Sequence, residues 1–230
     1  MSEAQRGRQR LANRFAKLKL SAARHGPAKT ALRYLYNELR RLIDFEVCVV
    51  QASSGAPYAW PDAQGYETRV VEQTEFLEKL SEELKQDNLA WPFQRGDVCT
   101  ASVCQDEIVG FNFYTFQDTI VRNGLSFRVP HGYVYSFKSF TAPSHRGRKL
   151  EPDRWKASRA HRNRVLGKDP KSIFYINVTN LESLAANKMS KSITLGYAAY
   201  ALLFGRLLIF NSPGCSRHKT GFARTSVVCD

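Results

Sequence analysis

The segment Tyr133-Val-Tyr-Ser-Phe-Lys-Ser-Phe-Thr-Ala-Pro-Ser-His-Arg-Gly-Arg-Lys-Leu150 decides the fold. Its aromatic and β-branched first part predicts a strand, which Pro143 ends. Arg146-Gly147 then predicts a turn, and a basic helix is predicted from about Glu151 to Leu166. Free backbone N–H groups and the helix dipole attract anions at a helix start. The sequence therefore predicts an anion-binding turn between this strand and this helix.

A second strand–helix unit follows about thirty residues later. Ile173-Phe-Tyr-Ile-Asn-Val178 predicts a strand, and Asn180-Leu-Glu-Ser183 opens a helix predicted to reach residue 191. Two consecutive strand–helix units, with an anion turn after the first, indicate a phosphorylated cofactor bound at the carboxyl ends of the strands.

The remaining pattern predicts a mixed α/β protein whose twisted sheet is mostly antiparallel and is flanked by helices. One parallel crossover joins the two units, and hairpins lie at both ends of the sheet. Three regions are predicted: a basic N-terminal arm (1–27), an α/β domain (28–211) and a C-terminal tail (212–230). The other predicted helices cover 28–43 and 74–86, and the other predicted strands cover 46–51, 97–104, 108–119, 195–203 and 206–211.

Composition indicates a globular protein with an uneven charge. Of the 230 residues, 43% are hydrophobic, and the net charge is +13. Residues 1–44 hold eleven Lys/Arg against three Asp/Glu, and residues 144–171 hold ten against three. This asymmetry favours contact with polyanions, although a solvated surface explains the first segment equally well. The absence of an 18-residue apolar run predicts no transmembrane segment, and the five scattered cysteines and missing signal-type apolar region predict a cytoplasmic location.

At these positions the chain resembles the GNAT family of coenzyme A-dependent N-acetyltransferases. The family pattern is a strand, Pro, Arg-Gly, a helix, a strand and Asn-x-x-Ser, and Pro143, Arg146, Gly147, Asn180 and Ser183 match it in order. The likeness covers roughly residues 45–211 and is sharpest over 133–190. The departures from the pattern are Lys149 and Glu151 at turn glycine positions, Lys138 at a glutamate position, Asn187 at a tyrosine position and Ser190-Lys191 at a Gly-Phe position.

The resemblance implies the cofactor-binding residues. It implies that the pantetheine arm of coenzyme A lies beside the first strand and that main-chain N–H near Phe140 or Thr141 holds the thioester carbonyl. Asn180 and Ser183 match positions that contact the pantetheine or the cofactor edge. The pyrophosphate is expected at the amides of the turn, and the full set is Ser139, Phe140, Thr141, Arg146, Gly147, Arg148, Lys149, Leu150, Glu151, Asn180 and Ser183.

The sequence does not identify the general base. A lysine at position 138 replaces the expected carboxylate only if its pKa is strongly depressed. His131, Tyr133, Tyr135 and Glu107 are the local alternatives, and Tyr135 and His131 are the proposed catalytic residues. Their ordinary roles are core packing for a tyrosine and a surface loop position for a histidine. No spacing of Cys and His predicts a metal site.

The resulting prediction is an N-acyltransferase that moves an acetyl or longer acyl group from coenzyme A, or from an acyl carrier protein, to a primary amine. Its partners are then the thioester donor, an amine acceptor and, through the basic arm, an acidic carrier protein or another anionic surface. The alternative is a catalytically inactive GNAT scaffold that binds nucleic acid or an anionic membrane.

Overall fold

The structure is a computed structural model that describes residues 16, 19–53, 63–86, 88–167, 170–189 and 192–225. Residues 19–25 are helical and precede Gly26. The helices that follow are α1 (Pro27–Leu42), α2 (Gln73–Lys79), α3 (Trp91–Gln94), α4 (Leu150–Leu166), α5 (Leu181–Met189) and α6 (Pro213–Arg217).

The strands of the described part of the chain lie between and after these helices. They are β1 (Asp44–Ala52), β2 (Glu67–Val71), β3 (Val98–Cys104), β4 (Glu107–Thr115), β5 (Thr119–Arg122), β6 (Leu125–Arg128), β7 (Tyr133–Thr141), β8 (Lys171–Asn177), β9 (Ile193–Leu203), β10 (Arg206–Asn211) and β11 (Gly221–Arg224).

Eight strands form the main sheet in the order β10-β9-β1-β8-β7-β4-β3-β2, and β11-β6-β5 form a second, small sheet. In the main sheet β7 and β8 run parallel, and the other described neighbours run antiparallel. The predicted fold class is therefore confirmed: a mixed α/β protein with a mostly antiparallel sheet and flanking helices.

One face of the main sheet carries two apolar cores. Phe76 of α2 packs on Phe111 and Phe113 at one end, and Phe127 and Phe222 of the small sheet pack at the other end. Phe137 of β7 contacts both cores, because it lies between them on the same face.

The opposite face under α4 is polar. A Cβ at Gly110 of β4 would lie 2.5 Å from Arg154 Nη1 of α4, so the two elements pack closely there. Successive residues of a strand point to opposite faces, so Gly110 faces α4 while Phe111 faces the core. Ser102 of β3 and Thr141 of β7 accept hydrogen bonds from the Arg154 guanidinium in this layer.

The C-terminal segment corrects the predicted domain boundary. Residues 212–230 lacked a clear period and were predicted to be a tail, but β11 pairs with β6. Cys215 and Phe222 are buried in the second core. The domain therefore extends to at least Arg224, and the last five residues lie outside the described part.

The N-terminal arm was predicted to be separate over 1–27. Within its described part, the Ser21 hydroxyl hydrogen-bonds the Thr30 hydroxyl of α1 at 3.2 Å. Residues 1–15, 17 and 18 lie outside the described residues. The helix predicted over 74–86 is also shorter, because Leu80 leaves α2 and forms a bridge with Ile108 of β4.

Candidate functional site

A wedge-shaped gap opens between β7 and β8. These parallel strands pair only at their start, where Tyr133 lies opposite Lys171 and Tyr135 lies opposite Ile173. No further pairing joins the two strands in the described part of the chain, although both continue toward their carboxyl ends. The backbone edges of residues 136–141 and 174–177 therefore face this gap, which we call the β7–β8 gap.

A β-bulge in β7 lies beside the gap. The pairing of β4 with β7 is regular on both sides but shifts by one residue between Phe111 and Phe113. Lys138 and Ser139 thus share one partner position, and Lys138 has the left-handed φ of 47°. A bulge re-aims the side chains and amides that follow it, and left-handed backbone is uncommon for a lysine.

Strand alternation assigns the amides beyond the bulge. Ala142 N–H donates to the Val109 carbonyl of β4 at 2.9 Å. Because amides alternate between the two edges of a strand, Phe140 N–H also points to β4, whereas Ser139 and Thr141 N–H point to the β7–β8 gap. Of the two amides predicted for the thioester carbonyl, Thr141 faces the gap and Phe140 does not. Ser139, predicted to line the cofactor, offers a second amide there.

Lys138 is half-buried beside the bulge. Its Nζ donates to the Asn88 carbonyl at 3.4 Å, and no carboxylate pairs with it among the described residues. Burial lowers the pKa of the Lys138 ammonium from its ordinary value. This shift has the direction that a lysine base requires but not the strong depression that the sequence analysis set as its condition; Lys138 is a candidate base through its half-buried position beside the gap.

The turn before α4 has the form of an anion site. Gly147 has φ 80°, and Lys149 at the N-cap has φ 60°. The amides of Gly147, Arg148, Leu150 and Glu151 find no acceptor among the residues that the structure describes. Such unpaired amides at the start of a 17-residue helix are the groups that hold phosphate oxygens.

The basic side chains of the turn are held beside it. Arg146 Nε donates to the Thr141 carbonyl at 3.2 Å, while its own amide closes a turn to Pro143. The Arg148 guanidinium lies 5.9 Å from the Tyr66 ring centroid. The predicted residues 146–151 therefore lie together at the mouth of the β7–β8 gap, with the Arg146 amide already engaged.

Asn180 and Ser183 have a local structural role. Asn180 Oδ1 accepts a hydrogen bond from Ser183 N–H at 3.1 Å, which is the geometry of a helix N-cap. Ser183 carbonyl in turn accepts from Asn187 Nδ2 at 2.9 Å. Their predicted contact with the cofactor stays a prediction, since capping already accounts for the Asn-x-x-Ser pattern.

The two predicted catalytic residues do not meet at the gap. His131 is exposed in the turn that precedes β7, and the strand from Tyr133 to Thr141 alone spans roughly 25 Å. Tyr135 lies at the closed end of the gap, but it is 5% exposed. Desolvation and then Tyr175 raise the pKa of its phenol well above the ordinary value, so the phenol stays protonated. Neither position suits a general base acting on a group near Thr141.

Arg154 places a buried positive charge beneath the gap. It is 1% exposed, and its Nη2 donates to Thr141 Oγ1 at 3.0 Å. Burial lowers the pKa of this guanidinium to about 10. Its other described partner is a hydroxyl, so the charge has no paired carboxylate in the described part of the chain.

No group of three or more His, Cys, Asp or Glu in the described residues is arranged to hold a metal ion. No helix within that same part of the chain is both long and apolar enough to cross a membrane.

The site unites a diverging parallel strand pair, a bulge in its first strand and an anion turn that follows that strand. Solved structures similar to the chain include a GNAT-family protein from Novosphingobium aromaticivorans DSM 12444, with TM-score 0.46, 12% identity and coverage of 73% of this chain and 66% of that one. A tandem GNAT protein from the clavulanic acid biosynthesis pathway has TM-score 0.46 and 13% identity over 76% of this chain and 58% of that one.

A functionally unknown conserved protein from Staphylococcus epidermidis ATCC 12228 has TM-score 0.47 and 8% identity, over 73% of this chain and 65% of that one. The chain thus spans less than two thirds of the length of these structures. No family profile matches the chain, and no curated protein matches it.

Proposed function

We propose that this GNAT-like chain is an N-acyltransferase. It transfers an acetyl or longer acyl group from a coenzyme A or acyl-carrier-protein thioester to a primary amine of a small molecule or amino acid. The observation that carries the proposal is the β7–β8 gap, which leads directly into the anion turn at α4.

Donor binding uses the free main-chain groups of the site. The pantetheine arm carries amides, which pair with the unpaired edges of β7 and β8 in the gap. The pyrophosphate lies at the amides of Gly147, Arg148, Leu150 and Glu151. Backbone donors suffice there, so side chains at Lys149 and Glu151 are compatible with binding.

The thioester carbonyl then lies against the amides of Ser139 and Thr141. These N–H groups point into the gap and stabilise the negative charge that develops on the carbonyl oxygen. The buried positive charge of Arg154, one hydrogen bond away from Thr141, strengthens this field because little water screens it.

Lys138 deprotonates the acceptor amine. Its neutral Nζ takes a proton as the amine nitrogen attacks the carbonyl carbon, the carbon–sulfur bond breaks, and the proton leaves with the thiolate as free thiol. Its half-burial and the absence of a carboxylate partner among the described residues favour the neutral form.

A thiol-release assay tests the proposal. Purified protein is given acetyl-CoA, a long-chain acyl-CoA or an acyl carrier protein donor, with a panel of primary amines. Amine-dependent release of thiol supports acyl transfer, and the donor that reacts fastest defines the acyl class. No amine-dependent release with any donor from folded protein would contradict it and favour the inactive-scaffold alternative.

A further inference from the structure

Helix α1 presents its apolar side to solvent. Leu32, Leu35, Leu39 and Leu42 recur along one stripe, and they are 69%, 57%, 41% and 82% exposed. A surface helix normally buries such a stripe against the protein. Exposing four leucines forgoes the stabilisation that burial of each gives, so this side of α1 has the composition of a contact surface.

The polar side of α1 makes the contacts with the rest of the molecule. The Tyr36 ring packs edge-on against Phe45 of β1, and its hydroxyl accepts from Val47 N–H at 2.8 Å. Thr30 is buried, and Arg33 donates to Glu182 of α5 at 3.1 Å. These contacts fix the helix with its leucines outward.

A second exposed apolar patch lies at the sheet edge, on the face that α1 covers. Leu208 and Phe210 of β10 are 51% and 59% exposed. Leu208 lies opposite Ala201 of β9, which lies opposite Phe45 of β1, and directly opposite residues share a face. Two strand spacings, about 10 Å, therefore separate the strand under α1 from these side chains. We call the four leucines with Leu208 and Phe210 the α1–β10 surface.

Positive charge flanks this surface. Within residues 19–43, six Lys/Arg side chains accompany one acidic residue, Glu38. The basic residues of this described segment are Lys19, Arg24, Lys29, Arg33, Arg40 and Arg41. Over residues 1–44 the excess of basic residues is eight. An apolar stripe with Lys and Arg on the remaining faces is the pattern of helices that lie in an anionic membrane interface.

We propose that the α1–β10 surface binds the interface of an anionic lipid bilayer, with α1 lying in the plane of the headgroups. The leucines enter the boundary between headgroups and acyl chains. Lys19, Arg24 and Lys29 pair with lipid phosphates, whereas Arg33, Arg40 and Arg41 already lie beside Glu182, Glu46 and Glu38. A second copy of the chain fits this surface poorly, because a symmetric contact would bring two strongly positive segments together. The inference is independent of acyl transfer.

Vesicle flotation with the full chain tests it. The probes are vesicles of phosphatidylcholine alone and vesicles that also contain phosphatidylglycerol, each at low and at high salt. We expect binding to the phosphatidylglycerol vesicles that weakens at high salt, since screening removes the electrostatic part. Absence of binding to these vesicles at low salt would overturn the proposal.

Variants distinguish binding by this surface from nonspecific adsorption of exposed apolar side chains. Leu35→Ser with Leu39→Ser should lower partitioning at least about tenfold, because two buried leucines are lost from the lipid contact. Leu77→Ser with Val165→Ser is the matched control, since these side chains are 44% and 61% exposed elsewhere, and it should bind like wild type. Equal loss in both pairs would contradict the proposal.

Two further measurements on the Leu35→Ser, Leu39→Ser variant distinguish other occupants. Unchanged Tm and a monomeric wild type in sedimentation equilibrium support the lipid contact, because the leucines are then free in solution. A clear fall in Tm would assign the stripe to another part of this chain. A wild-type dimer that the variant dissociates would assign it to a second copy, and either result would overturn the proposal.

Discussion

Lys138 lies in the β-bulge of β7, and its Nζ has no carboxylate partner among the described residues. By resemblance its position suits a carboxylate, so the sequence directed attention to Tyr135 and His131 instead. The backbone at Lys138 is left-handed within a bulge, and the side chain is half-buried. Neither property follows from local sequence, because both depend on how β4 pairs with β7.

Lys138→Met should lower kcat by roughly 10²–10⁴-fold, the usual contribution of a general base, with little effect on donor affinity. Because the base acts when neutral and burial lowers its pKa, wild-type kcat should rise with pH through a pKa below 10.5. The measurement is a kcat–pH profile of wild type and variant. Lys171→Met, at the start of β8, is the control and should behave as wild type. A kcat of Lys138→Met within about threefold of wild type would exclude Lys138 as the base.

His131→Ala and Tyr135→Phe should each keep kcat within roughly threefold, well inside the contribution of a base. His131 is remote from Thr141, and the Tyr135 phenol stays protonated because burial raises its pKa. Tyr135→Phe should cost about 1 kcal/mol of stability by removing its hydrogen bond to Tyr175. A large loss of kcat in either variant, measured separately from donor affinity, would return that residue to the mechanism.

Gly147→Val should weaken acetyl-CoA binding at least about tenfold, or 1.4 kcal/mol. No atom crowds a Cβ at Gly147, so the effect comes from φ 80°, which a β-branched residue adopts only with strain. Equilibrium dialysis measures the affinity. Gly124→Val is matched in φ, 77°, and in open surroundings, but it lies in the β5–β6 turn. Equal affinities in the two folded variants would remove the anion turn from the site.

At the scale of elements, helix α4 combines its anion turn with a buried charge on the side that meets the sheet. Burial lowers the pKa of Arg154 to about 10, below its unfolded value of 12.5. A base whose folded pKa is depressed is penalised in the folded protein while it is charged. That penalty is present below about pH 10 and is relieved as the pH rises toward the unfolded pKa.

Arg154→Met should therefore leave the free energy of unfolding at pH 7 unchanged or raise it by about 1–3 kcal/mol, because an apolar side chain replaces an unpaired buried charge. Urea denaturation measures this free energy. Arg164→Met on the exposed side of α4 is the control and should change it by less than about 0.5 kcal/mol. A loss of stability confined to Arg154→Met would show that the hydroxyl contacts outweigh the desolvation.

The elements with strong local signals were predictable. The strand over 133–141, the helix that follows Arg146-Gly147 and the hairpin with Phe204-Gly205 at its tip all lie where the pattern places them. Strand β11 was not predicted, since it has four residues and pairs with β6, which is distant from it in sequence. Such short strands are defined by tertiary pairing rather than by their own residues.

At the level of the whole molecule, the order of the strands in the main sheet could not be predicted from the sequence. The first strand of the chain, β1, lies between β8 and β9 near the middle of the main sheet. Its apolar residues fit any interior position of a sheet, so alternation alone does not choose the neighbours. The pairing of β1 with β8 matters for the site, because it holds β8 by the edge opposite to the β7–β8 gap.

Truncation of the basic arm tests whether the α/β domain folds without its N-terminal residues. Deleting residues 1–18 should change Tm by no more than a few degrees, because the Ser21–Thr30 contact and all of the described sheet are retained. Thermal unfolding by circular dichroism measures it. A cooperative transition lost on deletion would show that these residues belong to the folded domain.

The β7–β8 gap and its anion turn are proposed to bind an acyl thioester donor. Calorimetric titration of the wild-type chain with coenzyme A, acetyl-CoA and a long-chain acyl-CoA tests this most directly, since it needs no acceptor. We expect saturable one-to-one binding of all three, because they share the pantetheine and pyrophosphate that the gap and turn recognise. Folded protein that binds none of the three would contradict it.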